Sequence, residues 1–420
     1  MVMNSRERVL KAINHEEPDR VPIDIGGSIV SGIMAGALAR LREHLGMDGR
    51  SVEVYDVYQM LGRVTEDLIE RFKIDLLPVE PEAITFSHLR NRDFKPWTLF
   101  DGTEVLVPGN FEIEVSPEGA WLLHEQGDPG RPVIARMPEN GFYFDIPSST
   151  DWDPHYTPPD LETLRNSDWR RLSYDRLEYL QQRARLLRGT TDKALVLTDW
   201  GDVDSGAPLG PPSVGSLPEW LVLLASEPNY VRELMDLGTE ISIDNLKLYW
   251  AALSGSVDII HLDGYDFGAQ NRELFSPALF EDYYEPCYRA QCDWIHENTP
   301  WKTAKHCCGS IPNLMEPMIR AGIDVLNPVQ TSAGGMDPEW LKEAFGDRIT
   351  FWGGGVDTQH VLPFGTPDEV YDHVVERVRV LAPGGGFIWA GVHNIQYTVP
   401  PENILAAIEA VHDVGTYPIG

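Results

Sequence analysis

The chain has 420 residues, 34 basic and 65 acidic, with a formal net charge of −31. Such a surface repels nucleic-acid phosphates and anionic membranes, so neither is an expected partner. A hydrophobic share of 42% beside 24% charged residues describes a globular chain, and no apolar run approaches the ~20 residues of a membrane span.

The first residues from Asn4 onward are polar and lack the apolar centre of a secretory signal. Eight apolar or mixed segments then read as strands: RVPIDIGG (20–27), IDLLPVEP (74–81), KALVLTDWG (193–201), SVDIIHLDG (256–264), WKTAKHCCG (301–309), GIDVLNPVQ (322–330), RITFWGGGVD (348–357) and GGFIWAGVHN (385–394). Several are nearly continuous apolar runs ending in polar residues or glycine, as parallel strands buried on both faces do. Helix starts follow them: Ser276-Pro277, Asp337-Pro338-Glu339, the capping box Thr366-Pro367-Asp368-Glu369, and Pro400-Pro401-Glu402. Strand–helix alternation repeated this way predicts a (β/α)8 TIM barrel as a single domain, with a doubly wound open sheet as the alternative.

Residues 82–192 break the rhythm between the second and third strands. WTLFDGTEVLV turns at Asp101-Gly102 and FEIEVSPEGAWLLH turns at 116–119, both as β-hairpins. A Pro- and Asp-rich connector and a helix near 173–188 follow. This stretch reads as an insertion on the barrel, serving as a lid or as the contact of a homodimer.

A barrel of this kind builds its site at the C-terminal strand ends. There the chain offers Asp24, Asp199 with Trp200 and Asp202, Asp263 with Asp266 and Gln270, and His306 with Cys307 and Cys308. Asn327 with Gln330, Asp357 with Gln359, and His393 with Asn394 and Gln396 complete the set. Lysine and arginine are almost missing from it, and His, Cys, carboxylate and amide together suit a metal better than an anion. In KHCCGS (305–310), His306 and Cys308 share one strand face at i, i+2, so both can reach one ion, while Cys307 turns away. His393 ends the last strand, as a metal ligand or a substrate contact. Asp263 and Asp266 flank the mouth, one for function and one for capping a turn. The four cysteines form no disulfide framework, which points to a reducing cytoplasm.

The stretches RERVLKAINHEEPDRVPI, FSPALFEDYYEPCYRA, KHCCGSIPNLMEPMIRAGIDVLNPVQ and FWGGGVDTQHVLPFGTPDEVYDHVVERVRVLAPGGGFIWAGVHN resemble the uroporphyrinogen decarboxylase-like superfamily over roughly 1–80 and 193–420. That resemblance implies a (β/α)8 barrel, and either porphyrin decarboxylation or zinc-dependent methyl transfer with a corrinoid protein. True decarboxylases carry an arginine-rich motif after the first strand, where this chain has IDIGGSIVSGI, so the methyltransferase branch is the closer one. In it, His306 and Cys308 match the family's H-x-C pair. The family's late cysteine is missing, since nothing after Cys308 is a cysteine, and Glu285 or His393 is expected to complete the zinc sphere.

The resemblance further implies that zinc polarises the leaving atom of a small O-methyl or N-methyl compound and that a partner's corrinoid exchanges the methyl group. Asp263, Asp266 and His393 are the expected catalytic residues. Asp24, Trp200, Gln270, Asn327, Gln330, Asp357 and Asn394 are the expected substrate contacts. A metal-dependent lyase, decarboxylase or hydrolase without corrinoid, and a non-catalytic small-molecule binder, remain open at this point.

Overall fold

Seven short strands lie side by side in one parallel sheet in a computed structural model that describes residues 3–202 and 206–419. They are β1 (Leu76–Val79), β2 (Ala194–Leu197), β3 (Ile259–His261), β4 (Lys302–His306), β5 (Val325–Asn327), β6 (Thr350–Trp352) and β7 (Phe387–Ile388), in sequential order across the sheet. Residues 22–24 join its two edges. The Asp75 amide donates to the Ile23 carbonyl at 2.8 Å, and the Trp389 amide donates to that of Pro22 at 2.9 Å. The Asp24 amide in turn donates to the Trp389 carbonyl at 2.8 Å. The first predicted strand is thus the eighth stave, held by a bridge at Ile23–Trp389 rather than by a long ladder. An open doubly wound sheet would leave these edges apart.

Two-sided burial explains the continuous apolar runs. Val196, Ile259, Ala304, Val325, Trp352 and Ile388 form the inner core. Their neighbours Leu197, Ile260, Leu326, Phe351 and Phe387 pack outward into the larger core beneath the helices. Two residues beyond Val196, Ile259, Ala304 and Val325, the alternation brings Thr198, His261, His306 and Asn327 to the top of the barrel, all buried. The mouth therefore rests on a buried polar layer.

Three of the four predicted helix starts are capped by side-chain hydrogen bonds, and the helix after Pro400 begins without one. Thr366 and Glu369 make a reciprocal capping box, and the Asp337 and Ser276 side chains accept from the amides of Trp340 and Leu279. No helix among the described residues is long and apolar enough to cross a membrane.

Both predicted hairpins of the 82–192 stretch form, but neither stands alone. Lys95–Thr98 and Glu104–Val107 pair antiparallel around Gly102, whose φ of +86° suits the turn. They continue a five-stranded sheet through Val52–Asp56, Leu61–Gly62 and Ile33–Met34. The last two leave no trace in the residue pattern, because a two-residue strand shows no alternation. Glu114–Val115, Trp121–His124 and Val133–Met137 make a separate antiparallel sheet. The helix Tyr174–Thr190 packs on β1, β2 and the helix Pro228–Leu253, so it belongs to the barrel's own helical layer.

Candidate metal centre and reaction cavity

β4 delivers His306 into the mouth and Cys308 just past its end. The cysteine Sγ lies 3.5 Å from His306 Nε2. From the far side of the ring, the segment after β7 brings in His393, whose imidazole centroid is 5.6 Å from that of His306. One ligand atom each from His306, Cys308 and His393 falls within 4.8 Å of the others. Neither His393 nitrogen has a hydrogen-bond partner among the described residues.

The tautomer of His306 follows from Asn327. The Asn327 amide nitrogen donates to the Trp352 carbonyl at 3.2 Å, which can only accept. Its oxygen therefore faces His306 Nδ1, at 2.8 Å, and takes a proton from it. Nδ1 is the protonated nitrogen, and the Nε2 lone pair points towards Cys308.

Burial pushes His306 down to about 4, against the opposing hydrogen bond to Asn327. Burial likewise lowers His393 to about 4, helped by the nearby His306. Both rings are therefore neutral and ready to donate a lone pair at physiological pH. Burial holds the Cys308 thiol well above its usual value, with the Asp266 carboxylate adding to the rise. Two neutral imidazoles and a thiol, on three sides of one point, fit a zinc ion with a position left open. Asp266 adds a carboxylate oxygen nearby: its Oδ1 accepts from the Cys308 amide at 2.7 Å and lies 3.6 Å from His306 Nε2.

His306 and His393 open onto a cavity of about 650 Å³. Trp200, Asp266 and Asn394 also line it, with Tyr58, Tyr143, Met34 and Ile84 among the remaining walls. The Trp200 ring stands 5.5 Å from that of His306. Asn394 is buried and holds one wall in place, accepting from the Gly32 amide at 2.6 Å and donating to the Ile29 carbonyl at 2.9 Å. Among the described residues lining the cavity, none is lysine or arginine. A substrate carrying many carboxylates would find no cation there.

Other expected site residues lie elsewhere. Glu285 pairs with Arg289 and Arg320 in a cleft on the outer helical face, with Glu281 and Asp293 beside it. The helix Glu285–Asn298 turns this carboxylate outward, so it does not complete the sphere expected at His306. Asp263 is fully buried in an ion pair with Lys305 at 2.7 Å, and the Tyr288 hydroxyl donates to its second oxygen at 2.8 Å. It supports the floor and does not line the cavity.

Asp24 is also buried. It accepts from the Gly27 amide at 2.7 Å and from Trp352 Nε1 at 2.8 Å, and burial raises it to about 6. Gln330 accepts from the Gly309 amide at 2.7 Å and donates to Gln270 at 3.1 Å, while Gln270 donates to the Ser332 carbonyl at 2.8 Å. These two glutamines lace the loops after β3, β4 and β5 together. Asp357 accepts from the amides of Gln359 and His360, closing a turn. Asn327 orients His306 from below. Tyr58 and Tyr143 were not foreseen, because they come from the turn before Leu61–Gly62 and from the stretch after Val133–Met137, not from the ends of barrel strands.

Residues 154–414 match the family model described as uroporphyrinogen decarboxylase (URO-D). No curated protein matches the chain in sequence. Among solved structures, a methyltransferase from Methanosarcina mazei is similar with a TM-score of 0.57 at 15% identity, over 98% of this chain and 99% of that one. That likeness extends the barrel reading to nearly the whole chain. Weaker likenesses, which carry no argument, are to a Xanthomonas albilineans dihydropteroate synthase (TM-score 0.27, 14% identity, 40% of this chain and 58% of that one) and to the Ignisphaera aggregans GH53 catalytic domain (TM-score 0.33, 10% identity, 93% and 99%).

Proposed function

The chain belongs to the uroporphyrinogen decarboxylase family, and on that footing we propose that it is a zinc-dependent methyltransferase, which moves a methyl group between a small O-methyl or N-methyl compound and a corrinoid carried by a partner protein. The observation that carries this reading is the convergence of His306, Cys308 and His393 at a cavity whose described lining has no lysine or arginine. Porphyrin decarboxylation requires cations for the substrate's carboxylates, and the described walls supply no such side chain.

His306 through Nε2, Cys308 through its sulfur, and His393 would hold the zinc. Asn327 keeps the His306 lone pair aimed, and Asp266 fixes the Cys308 backbone. When bound, zinc supplies Lewis acidity towards the lone pair of a leaving oxygen or nitrogen, which is otherwise a poor leaving atom. The bond from the methyl carbon to that atom breaks with both electrons staying on the heteroatom, which then needs a proton. Asp266, half exposed at the cavity edge, is the side chain suited to pass that proton from solvent. Trp200 and Asn394, with the apolar walls, exclude water from the reacting atoms and orient the substrate. The four cysteines are free, in keeping with a reducing cytoplasm.

The test is methyl transfer between cob(I)alamin and panels of methoxylated aromatics and methylamines, with zinc-loaded protein and its His306→Ala variant. Transfer that depends on zinc and on His306 supports the proposal. Carbon dioxide release from a small organic acid without corrinoid would replace it with a lyase.

A further inference from the structure

Beside the reaction cavity lies a second chamber of about 220 Å³ that the methyl-transfer reading does not use. Five of its lining residues are aromatic, Trp220, Tyr265, Phe267, Phe275 and Tyr284, and Leu274 is among the aliphatic ones. The Phe275 and Tyr284 rings stack at 5.0 Å and 3°, and Phe267 lies 5.4 Å from Phe275 and 4.9 Å from Tyr284. Two residues, Tyr265 and Asp266, line both this chamber and the reaction cavity. These two adjacent residues thus face both spaces, and Asp266 Oδ1 is 3.6 Å from His306 Nε2.

Three features define what the chamber accepts. An apolar cavity of roughly 150 Å³ is known to stay dry and take up benzene, so this volume suits a substituted single ring. Ring walls reward a flat aromatic guest, through offset and edge contacts, more than an aliphatic one. Asp266 is the only charged residue among the lining residues described, which disfavours an anion. One directional group remains. The buried Tyr284 hydroxyl accepts from Trp220 Nε1 at 2.8 Å, and its own hydrogen has no acceptor among the described residues.

We propose that this chamber is a binding site for an uncharged aromatic ring bearing an oxygen acceptor, of the phenol class, lodged across Asp266 from His306. Identifying that ring as the non-reacting body of the substrate rests on the methyl-transfer reading; the binding of the ring does not. The probe is 4-bromophenol, used with the full chain in crystals and in solution. The expected result is an anomalous bromine peak between Trp220 and Phe275. Its solution counterpart is a calorimetric dissociation constant that Leu274→Trp, which fills the chamber, raises roughly tenfold or more.

Should circular dichroism show that Leu274→Trp is unfolded, Leu221→Trp fills the chamber from its other wall. Bromine found only beside His306, no bromine peak, or an affinity unmoved by the filling variant overturns the proposal. Density in the crystal without any heat in solution, meaning binding at crystal concentration only, overturns it as well. A failed methyl-transfer assay would leave all these readings unchanged, so the two ideas fall separately.

Discussion

Asn327→Ala is the perturbation that bears most on the metal centre without touching a ligand. It removes the oxygen that takes the His306 Nδ1 proton at 2.8 Å and the amide that donates to the Trp352 carbonyl at 3.2 Å. Both orphaned groups are buried, so each costs about 1–3 kcal/mol of stability. The freed imidazole can also adopt the other tautomer, which turns a proton instead of a lone pair towards Cys308. Loss of such an outer-sphere partner lowers metal affinity by about 10–100-fold, or about 1.4–2.8 kcal/mol. Competition for zinc against a chromophoric chelator measures this directly. Asn327→Asp keeps an acceptor for Nδ1 but loses the donor to Trp352, so it should fall between wild type and Asn327→Ala. A folded Asn327→Ala protein that binds zinc as tightly as wild type would refute the reasoning, because His306 would then need no orienting partner or would not be a ligand.

Glu285→Gln should leave zinc content unchanged, since that carboxylate is engaged by Arg289 and Arg320 on the outer face; metal analysis after gel filtration decides it. Lys305→Met leaves the fully buried Asp263 carboxylate unpaired and should cost about 3–5 kcal/mol in denaturant unfolding. Most of that loss should return in the double variant Lys305→Met/Asp263→Asn; no recovery would show that the lysine matters for more than pairing. Asp24 should titrate near about 6 in a ¹³C NMR experiment, because burial favours its neutral form. The folded chain binds that proton more tightly than the unfolded chain. Its contribution to stability is therefore full below the ordinary carboxylate range and is lost as pH rises through about 6. Trp352→Phe removes a donor to the carboxylate and should move the titration higher still; a downward shift would contradict this account of Asp24.

The barrel was legible because buried parallel strands leave long apolar runs: seven of the eight predicted strands form the sheet, and residues 22–24 of the first join its edges. The His306–Cys308 pair was legible for a related reason: alternation alone puts i and i+2 on one face. His393 could be placed because it ends the last strand, next to the first in a closed ring. What failed needed angles that spacing does not carry. Glu285 has a suggestive sequence distance from His306, yet its azimuth on the helix points it outward. Asp263 looked like Asp266 at a strand end, but Lys305, hidden within KHCCGS, claims it in the floor. Asn327 was marked as polar and mouth-facing, which is right, while its partner turned out to be an imidazole rather than a substrate. Tyr58 reaches the cavity from the turn between Val52–Asp56 and the two-residue strand Leu61–Gly62, and Tyr143 from the irregular stretch after Val133–Met137; no periodicity announces either.

Zinc K-edge absorption spectroscopy of zinc-loaded protein, compared with its His393→Ala variant, tests the central claim most directly. The account predicts about one zinc per chain, with one sulfur near ~2.3 Å and nitrogen or oxygen neighbours near ~2.0–2.1 Å, and loss of one imidazole contribution in the variant. A sphere without sulfur, or one that His393→Ala leaves unchanged, would contradict it.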